Sequence, residues 1–158
     1  MARVHMMVGI PGSGKSTYAK ELSQTHGYEI VSTDMIRMLH SDWEESMIWP
    51  EVYRLTAEYL KGGCDVIFDA TNITPKVRNR FKDEVSKHFN KFEVVAYYFD
   101  TSPKICAKRV EKRNKLVNKL YLPVEVFFSY DEKIIEPTID EGFIEIINVN
   151  DLERKNYE

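Results

Sequence analysis

The sequence predicts an α/β fold, a mostly parallel five-stranded sheet flanked by helices. Three observations carry that expectation. Short apolar runs alternate with helical patterns along the chain. Prolines 50, 75, 103 and 123 each stand at the first turn of a helical pattern, where a missing N–H costs nothing. Finally, the first apolar run leads straight into a glycine-rich loop and then a good helix sequence. Alternating β and α units need crossover helices, so the strands run parallel and both faces of the sheet are covered.

Taken in order, the expected strands are Val4–Val8, Tyr28–Val31, Asp65–Phe68, Glu93–Phe99 and Phe143–Asn148. The expected helices are Lys15–Gln24, Thr33–His40, Pro50–Lys61, Pro75–Phe89, Pro103–Arg113 and Pro123–Ile135. The chain has 158 residues, 43% of them hydrophobic and 30% charged, which suits one domain over 1–158 with a sizeable core. No repeat, low-complexity tract or linker divides it. No apolar stretch approaches membrane-spanning length, and the N-terminal apolar run enters the loop directly, so no leader and no membrane are expected. Cys64 and Cys106 lie far apart in no metal-ligand spacing and read as reduced thiols. The expected location is the cytoplasm, or the host cytoplasm for a phage-encoded chain. A formal net charge of −3 gives no general attraction to nucleic acid, so any polyanion contact needs a local basic patch.

The stretch "VGIPGSGKSTYAK", Val8 to Lys20, fits Gly-x-x-x-x-Gly-Lys-[Ser/Thr]. Gly12 and Gly14 let consecutive backbone N–H groups point inward at phosphate oxygens. Lys15 brings an ammonium to the β- and γ-phosphates, and the Ser16 hydroxyl suits Mg²⁺. A helix opening near Lys15 adds the partial positive charge of its N-terminus. Gly9, Pro11, Gly12, Ser13, Gly14, Lys15, Ser16 and Thr17 are thus the candidate nucleotide-binding residues, with ATP and Mg²⁺ as the expected ligands.

Ligands of such folds gather at the carboxyl ends of the strands. The second strand is followed by "STDMIR". Ser32 or Thr33 can cap the next helix, which leaves Asp34 to face the cleft beside Arg37 on one helical face. A carboxylate there can accept the proton of an attacking hydroxyl. The third strand ends in "VIFDATN". Asp69 is placed to bind Mg²⁺, directly or through water, or else to cap the helix at Pro75. Thr71 and Asn72 extend a polar rim beyond it.

From Lys104 to Lys119 the chain carries Lys104, Lys108, Arg109, Lys112, Arg113, Lys115 and Lys119 against the single acid Glu111. Part of this is a solvated helix face; the rest suits a lid, about residues 113–122, over phosphates. Arg113, and behind it Arg109, can neutralise charge during transfer. Lys76, Arg78, Arg80 and Lys82 form a second cluster, in which Arg78 is a candidate substrate contact. The acidic, aromatic segment Ser41–Tyr53 reads by default as helix packing through Trp43, Trp49 and Tyr53, with stacking on an acceptor base as the sharper alternative.

In this order "GIPGSGKST", "STDMIR", "VIFDATN" and "KRVEKRNK" before "LP" resemble the kinase domain of phage polynucleotide kinase and its small P-loop kinase relatives. The resemblance runs from Val4 to about Ile135 and implies an adenylate-kinase-like P-loop NTPase fold. It implies Asp34 as general base, Arg37 as the acceptor-phosphate contact, Lys15 and Ser16 on the donor side and Arg113 as a lid arginine. The sequence differs from the phage pattern in two places. Ala70 intervenes between Asp69 and Thr71-Asn72, and the lid continues "KLVNK", where Lys115 or Lys119 stands in for a second arginine. The implied activity is transfer of the ATP γ-phosphoryl to a hydroxyl, with a nucleic acid 5′ end as the first acceptor. A small-molecule kinase and a nucleotide-binding module without transfer are the alternatives; oligomeric state is left open.

Overall fold

The computed structural model describes residues 1–116 and 120–149. Its centre is a five-stranded, all-parallel sheet of order β2-β3-β1-β4-β5. The strands are β1 (Arg3–Val8), β2 (Glu29–Ser32), β3 (Val66–Asp69), β4 (Glu93–Phe99) and β5 (Glu145–Val149). Among the described residues six α-helices connect and cover them: α1 (Lys15–His26), α2 (Thr33–Leu39), α3 (Glu45–Lys61), α4 (Pro75–Ser86), α5 (Pro103–Asn114) and α6 (Val124–Lys133). A short 3₁₀ turn, Ile139–Glu141, precedes β5.

Both faces of the sheet are buried. On one, Val4, Met6, Val8, Val66 and Phe68 pack against Ile48, Val52, Tyr53, Phe81 and Val85 of α3 and α4. On the other, Met7, Ile67, Val95 and Phe99 meet Ala19 of α1. This two-sided burial is why the strands read as nearly continuous apolar runs. A third cluster joins Ile10 of the loop after β1 to Cys106 and Val110 of α5 and Phe127 of α6. Among the described residues no helix is long and apolar enough to cross a membrane.

All five expected strands form, within two residues at each end. The larger difference is α3, which starts at Glu45 and holds Pro50 inside it. Ile48 is buried and Trp49 packs edge-on to Phe68, so the apolar spacing runs back past the proline. The N–H that Pro50 lacks would have gone to the Ser46 carbonyl, on a solvent-exposed residue where water can serve it. Trp43 stacks on His40 with ring centroids 3.6 Å apart, and Trp49 and Tyr53 join the core side, which is the packing role expected by default for this segment. Helix α4 ends at Ser86, not Phe89. Of the expected lid, Lys119 lies outside the described residues, as does the chain beyond Val149.

Candidate active site

The site starts where β1 stops. Gly9 N–H donates to the Thr71 carbonyl (3.0 Å), tying the loop after β1 to the loop after β3. Gly12 and Gly14 have φ of +81° and +96°, the left-handed region that side chains resist. A Cβ on Gly12 would sit 2.5 Å from the Cys106 carbonyl oxygen, so α5 seals the loop from behind. The Thr101 hydroxyl donates to the Ser13 carbonyl (3.1 Å) and Arg109 Nη1 to that of Gly12 (3.2 Å). The loop is thus held through the carbonyls of Gly12 and Ser13, and the Ser13 N–H closes a turn on the Ile10 carbonyl (3.2 Å).

Lys15 opens α1 and is buried. Its ammonium donates to the Ile10 carbonyl (2.9 Å) and lies 3.5 Å from Ser13 Oγ. Burial pushes its pKa down to about 8, against the opposing pull of Asp69. Ser16 Oγ donates to Asp69 Oδ2 at 2.7 Å. Burial raises the Asp69 carboxyl, with Lys15 and the Ser16 hydroxyl holding it down. Two hard oxygens, one of them anionic, stand together beside the phosphate loop; this donor set fits Mg²⁺, which takes few protein ligands and completes its shell from phosphates and water.

Parallel pairing brings the acceptor-side candidates alongside. Ser32 of β2 is in register with Asp69 of β3, so Thr33 and Asp34 emerge next to the Ser16–Asp69 pair. Ser32 Oγ accepts from Met35 N–H (3.2 Å) and is the cap of α2, which leaves Asp34 uncommitted to capping. Asp34 is near enough for its charge to act on both Lys15 and Asp69, and the same is true of Arg113 on α5. Arg37 Nη1 donates to Asp34 Oδ1 at 2.8 Å, while its other edge faces Glu45 at the start of α3. The cleft thus gathers Lys15, Ser16, Asp69, Asp34 and Arg113, with Arg37 linked to Asp34.

Residues 4–130 match the family described as an AAA domain, AAA_33. The chain belongs to this family of P-loop kinase domains. The domain is 28% identical to the bifunctional polynucleotide phosphatase/kinase of Schizosaccharomyces pombe over 97% of its own length, and it spans 35% of that protein. It is 30% identical to the adenylate kinase of Thermosipho melanesiensis, with 77% of this chain and 67% of that one covered. Solved structures that share its fold include the following two. A chain of the Pnkp1/Rnl/Hen1 RNA repair complex superposes with a TM-score of 0.72 at 24% identity, covering 84% of this chain and 43% of that one. A sugar kinase from Janibacter sp. HTCC2649 gives a TM-score of 0.70 at 15% identity over 95% and 86%.

Two expectations for this P-loop kinase domain are corrected. Arg78 is fully buried, not on an open rim. Its guanidinium donates to Glu141 Oε1 (2.8 Å) and Oε2 (3.0 Å) and to the carbonyls of Asn72 (2.7 Å) and Ile135 (3.0 Å). Its amphipathic stem sits on the inward face of α4, and a buried charge needs such saturation. Asn72 is 1% exposed and works behind the loop: its Nδ2 donates to the Met7 carbonyl (2.7 Å) and reaches that of Ala70 (3.3 Å), from a φ of +48°. It braces the end of β1 instead of lining an acceptor rim. Thr71 is half-buried and contributes its carbonyl to Gly9.

Sequence reasoning missed Thr101, although it too follows a strand; the strand-end rule would have found it. It also missed the clasp between Asn114 and Leu122, where Asn114 Nδ2 donates to the Leu122 carbonyl (2.8 Å) and Asn114 Oδ1 accepts from Leu122 N–H (2.9 Å). Glu45 had no signal because the helix was expected to begin five residues later.

Proposed function

We propose that this domain is a Mg²⁺-dependent kinase that moves the γ-phosphoryl of ATP onto the 5′-hydroxyl of a nucleic acid end. The observation that carries the transfer reading is the placement of Asp34 within electrostatic reach of both Lys15 and Asp69, on the adjoining strand end. A nucleotide binder without an acceptor has no use for a carboxylate there. The similarity to a polynucleotide phosphatase/kinase over 97% of the chain supports the nucleic acid end as acceptor.

In this reading the loop N–H groups and Lys15 hold the triphosphate, and Lys15 swings from the Ile10 carbonyl to the β- and γ-oxygens. Ser16 and Asp69 would hold Mg²⁺, and the charge compensation it would supply is that of a Lewis acid beside the phosphates. The acceptor oxygen forms the new bond to the γ-phosphorus as the bond to the ADP oxygen breaks, and Asp34 takes the hydroxyl proton. Arg113 balances charge on the transferred group, and Arg37 steadies the acceptor. Such a transfer needs positioning and charge compensation more than covalent chemistry.

The test is transfer from γ-labelled ATP to 5′-OH DNA and RNA oligonucleotides, nucleosides and sugars. Labelled oligonucleotide ends that weaken steeply with salt support the reading; labelling of a small acceptor alone replaces it with the second one. That second reading, a small-molecule kinase, is favoured by one observation: the guanidinium of Arg37 is already engaged by two carboxylates. Asp34→Asn should cost at least about a hundredfold in transfer while ATP binding survives, the scale of a lost general base. Equal activity would remove Asp34 from the mechanism.

A further inference from the structure

The least expected contact in the cleft is the one that occupies Arg37. Glu45, the first residue of α3, lies side-on to the guanidinium, with Nε 3.2 and 3.1 Å from its two oxygens and Nη2 2.6 Å from Oε1. The remaining Nη1 is on Asp34 at 2.8 Å. A carboxylate spanning Nε and Nη2 presents two oxygens along one edge of the planar fork, the same edge that two oxygens of a phosphate monoester or diester take. The Trp49 side chain, one turn along α3, supports Glu45 from its own helix, and Arg37 holds its carboxyl below the usual carboxylate range, so it stays anionic near neutrality.

The three side chains carry two negative charges and one positive. The cluster is therefore net negative at the very place where a phosphate-bearing acceptor would seek a cation. Both partners are open to solvent, 30% exposed for Arg37 and 61% for Glu45. A pair this wet opens at modest cost.

We propose that Glu45 is a specificity-determining residue: its carboxylate fills the acceptor-phosphate position on Arg37, and a phosphate-bearing acceptor must displace it. The proposal rests on the reading of Asp34 and Arg37 as the acceptor side. An acceptor with no phosphate near its hydroxyl leaves the pair closed and is received by Asp34 alone. One with a phosphate competes with Glu45 for the fork and meets its charge. Glu45 thus narrows the gain that Arg37 would otherwise give to nucleotide-like acceptors over neutral ones.

The experiment compares the full chain with E45Q and with R37Q/E45Q on two acceptors that differ only by the phosphate, thymidine and thymidine 3′-monophosphate. Transfer from ATP gives KM for each, and calorimetry gives the Kd of thymidine 3′-monophosphate without ATP. For E45Q the expected result is a selectivity shift toward the 3′-monophosphate of roughly fivefold to tenfold in the KM ratio, the scale of one like charge removed from a solvated pair. The same gain should appear in Kd and vanish in R37Q/E45Q. An unchanged ratio, equal shifts for both acceptors, or a gain that survives loss of Arg37 overturns the proposal. If neither compound is phosphorylated, the oligonucleotide labelling above decides the nucleic-acid-end reading, and the Kd comparison still decides Glu45: tighter binding by E45Q supports it, and equal or undetectable binding in both proteins overturns it. If both are phosphorylated and the ratio does not move, Glu45 falls and the kinase reading stands.

Discussion

Glu141→Gln tests the reassignment of Arg78 from substrate contact to structural hub. Arg78 is fully buried and the Glu141 side chain is 7% exposed, so the pair is shielded from water. Both carboxylate oxygens receive Arg78, one also receives Thr138 N–H, and the Glu141 carbonyl receives Lys82. Neutralising Glu141 leaves a guanidinium charge in the core with no counter-charge. Breaking a buried pair in this way costs about 3–5 kcal/mol. For a chain of this size that is a fall in Tm of roughly 10 °C, at about 2–4 °C per kcal/mol. R78M should cost as much, because it strands the Asn72 and Ile135 carbonyls along with Glu141, and R78M/E141L should recover only part, since those carbonyls still lack donors. Urea and thermal unfolding of wild type, R78M, E141L and R78M/E141L give the cycle directly, with E141Q measured beside them. pH adds a sign. Burial raises the Glu141 carboxyl, but the hydrogen bonds from Arg78 and Thr138 outweigh it and leave its pKa below 4.5. Its contribution is therefore present above about 4.5 and lost as pH falls through the folded value, so wild type and E141Q should converge in acid. A Tm loss under about 3 °C for E141Q, or an R78M protein of normal Tm with a raised acceptor KM, would refute the structural role.

Three further substitutions address the donor side. Lys15→Met should abolish nucleotide binding yet raise the Tm of the ligand-free protein at pH 7. The gap between 10.5 and about 8 corresponds to an upper bound of about 3 kcal/mol of disfavoured buried charge, relieved on neutralisation; an unchanged or lower Tm would show that the ammonium is well compensated by Ile10 and Asp69. Gly12→Ala places a methyl 2.5 Å from the Cys106 carbonyl at a φ of +81°, and should destabilise by about 1–3 kcal/mol with weaker ATP binding, measured by chemical unfolding and calorimetry. Asn114→Ala removes both hydrogen bonds of the Asn114–Leu122 clasp. It should raise the ATP KM severalfold, with a Tm loss of about 1–2 kcal/mol equivalent; proteolysis between residues 114 and 122 at the wild-type rate would argue against the clasp.

The donor side was legible because its determinants are local. Gly12, Gly14, Lys15 and Ser16 lie within five residues, and their geometry follows from backbone freedom and a helix start that any such spacing imposes. The strand-end rule reached Asp34 and Asp69 for the same reason: an apolar run ends where the sheet ends, and Ser32 and Asp69 fall in register once the strands are parallel. Arg78 misled because charge in a sequence reads as surface. What buries it is Glu141, sixty-three residues away, delivered by a 3₁₀ turn with no signal strong enough to pair it in advance. Asn72 misled in the opposite sense, a polar residue at a strand end that turns back to hold Met7.

The acceptor side shows how one boundary error propagates into function. Proline at position 50 is a good helix opener, and starting α3 there leaves Glu45 in a loop with no defined direction. The structure starts the helix at Glu45 because Ile48 and Trp49 have core to fill, and burying them outweighs one carbonyl left to water. That extension fixes Glu45 on the first turn, pointed at α2, and closes it on Arg37. The pair that a sequence reading assigns to the acceptor phosphate is thereby a three-body cluster, net negative. If Arg37 is the acceptor-phosphate contact as proposed, whether the domain favours a nucleotide end or a neutral hydroxyl turns on a competition between two anions for one guanidinium. Loosening the pair with the shorter arm of Glu45→Asp, which draws the carboxylate back from the guanidinium, should move selectivity in the direction of E45Q; if instead E45D behaves as wild type, the contact across α2 and α3 is not what governs acceptor choice.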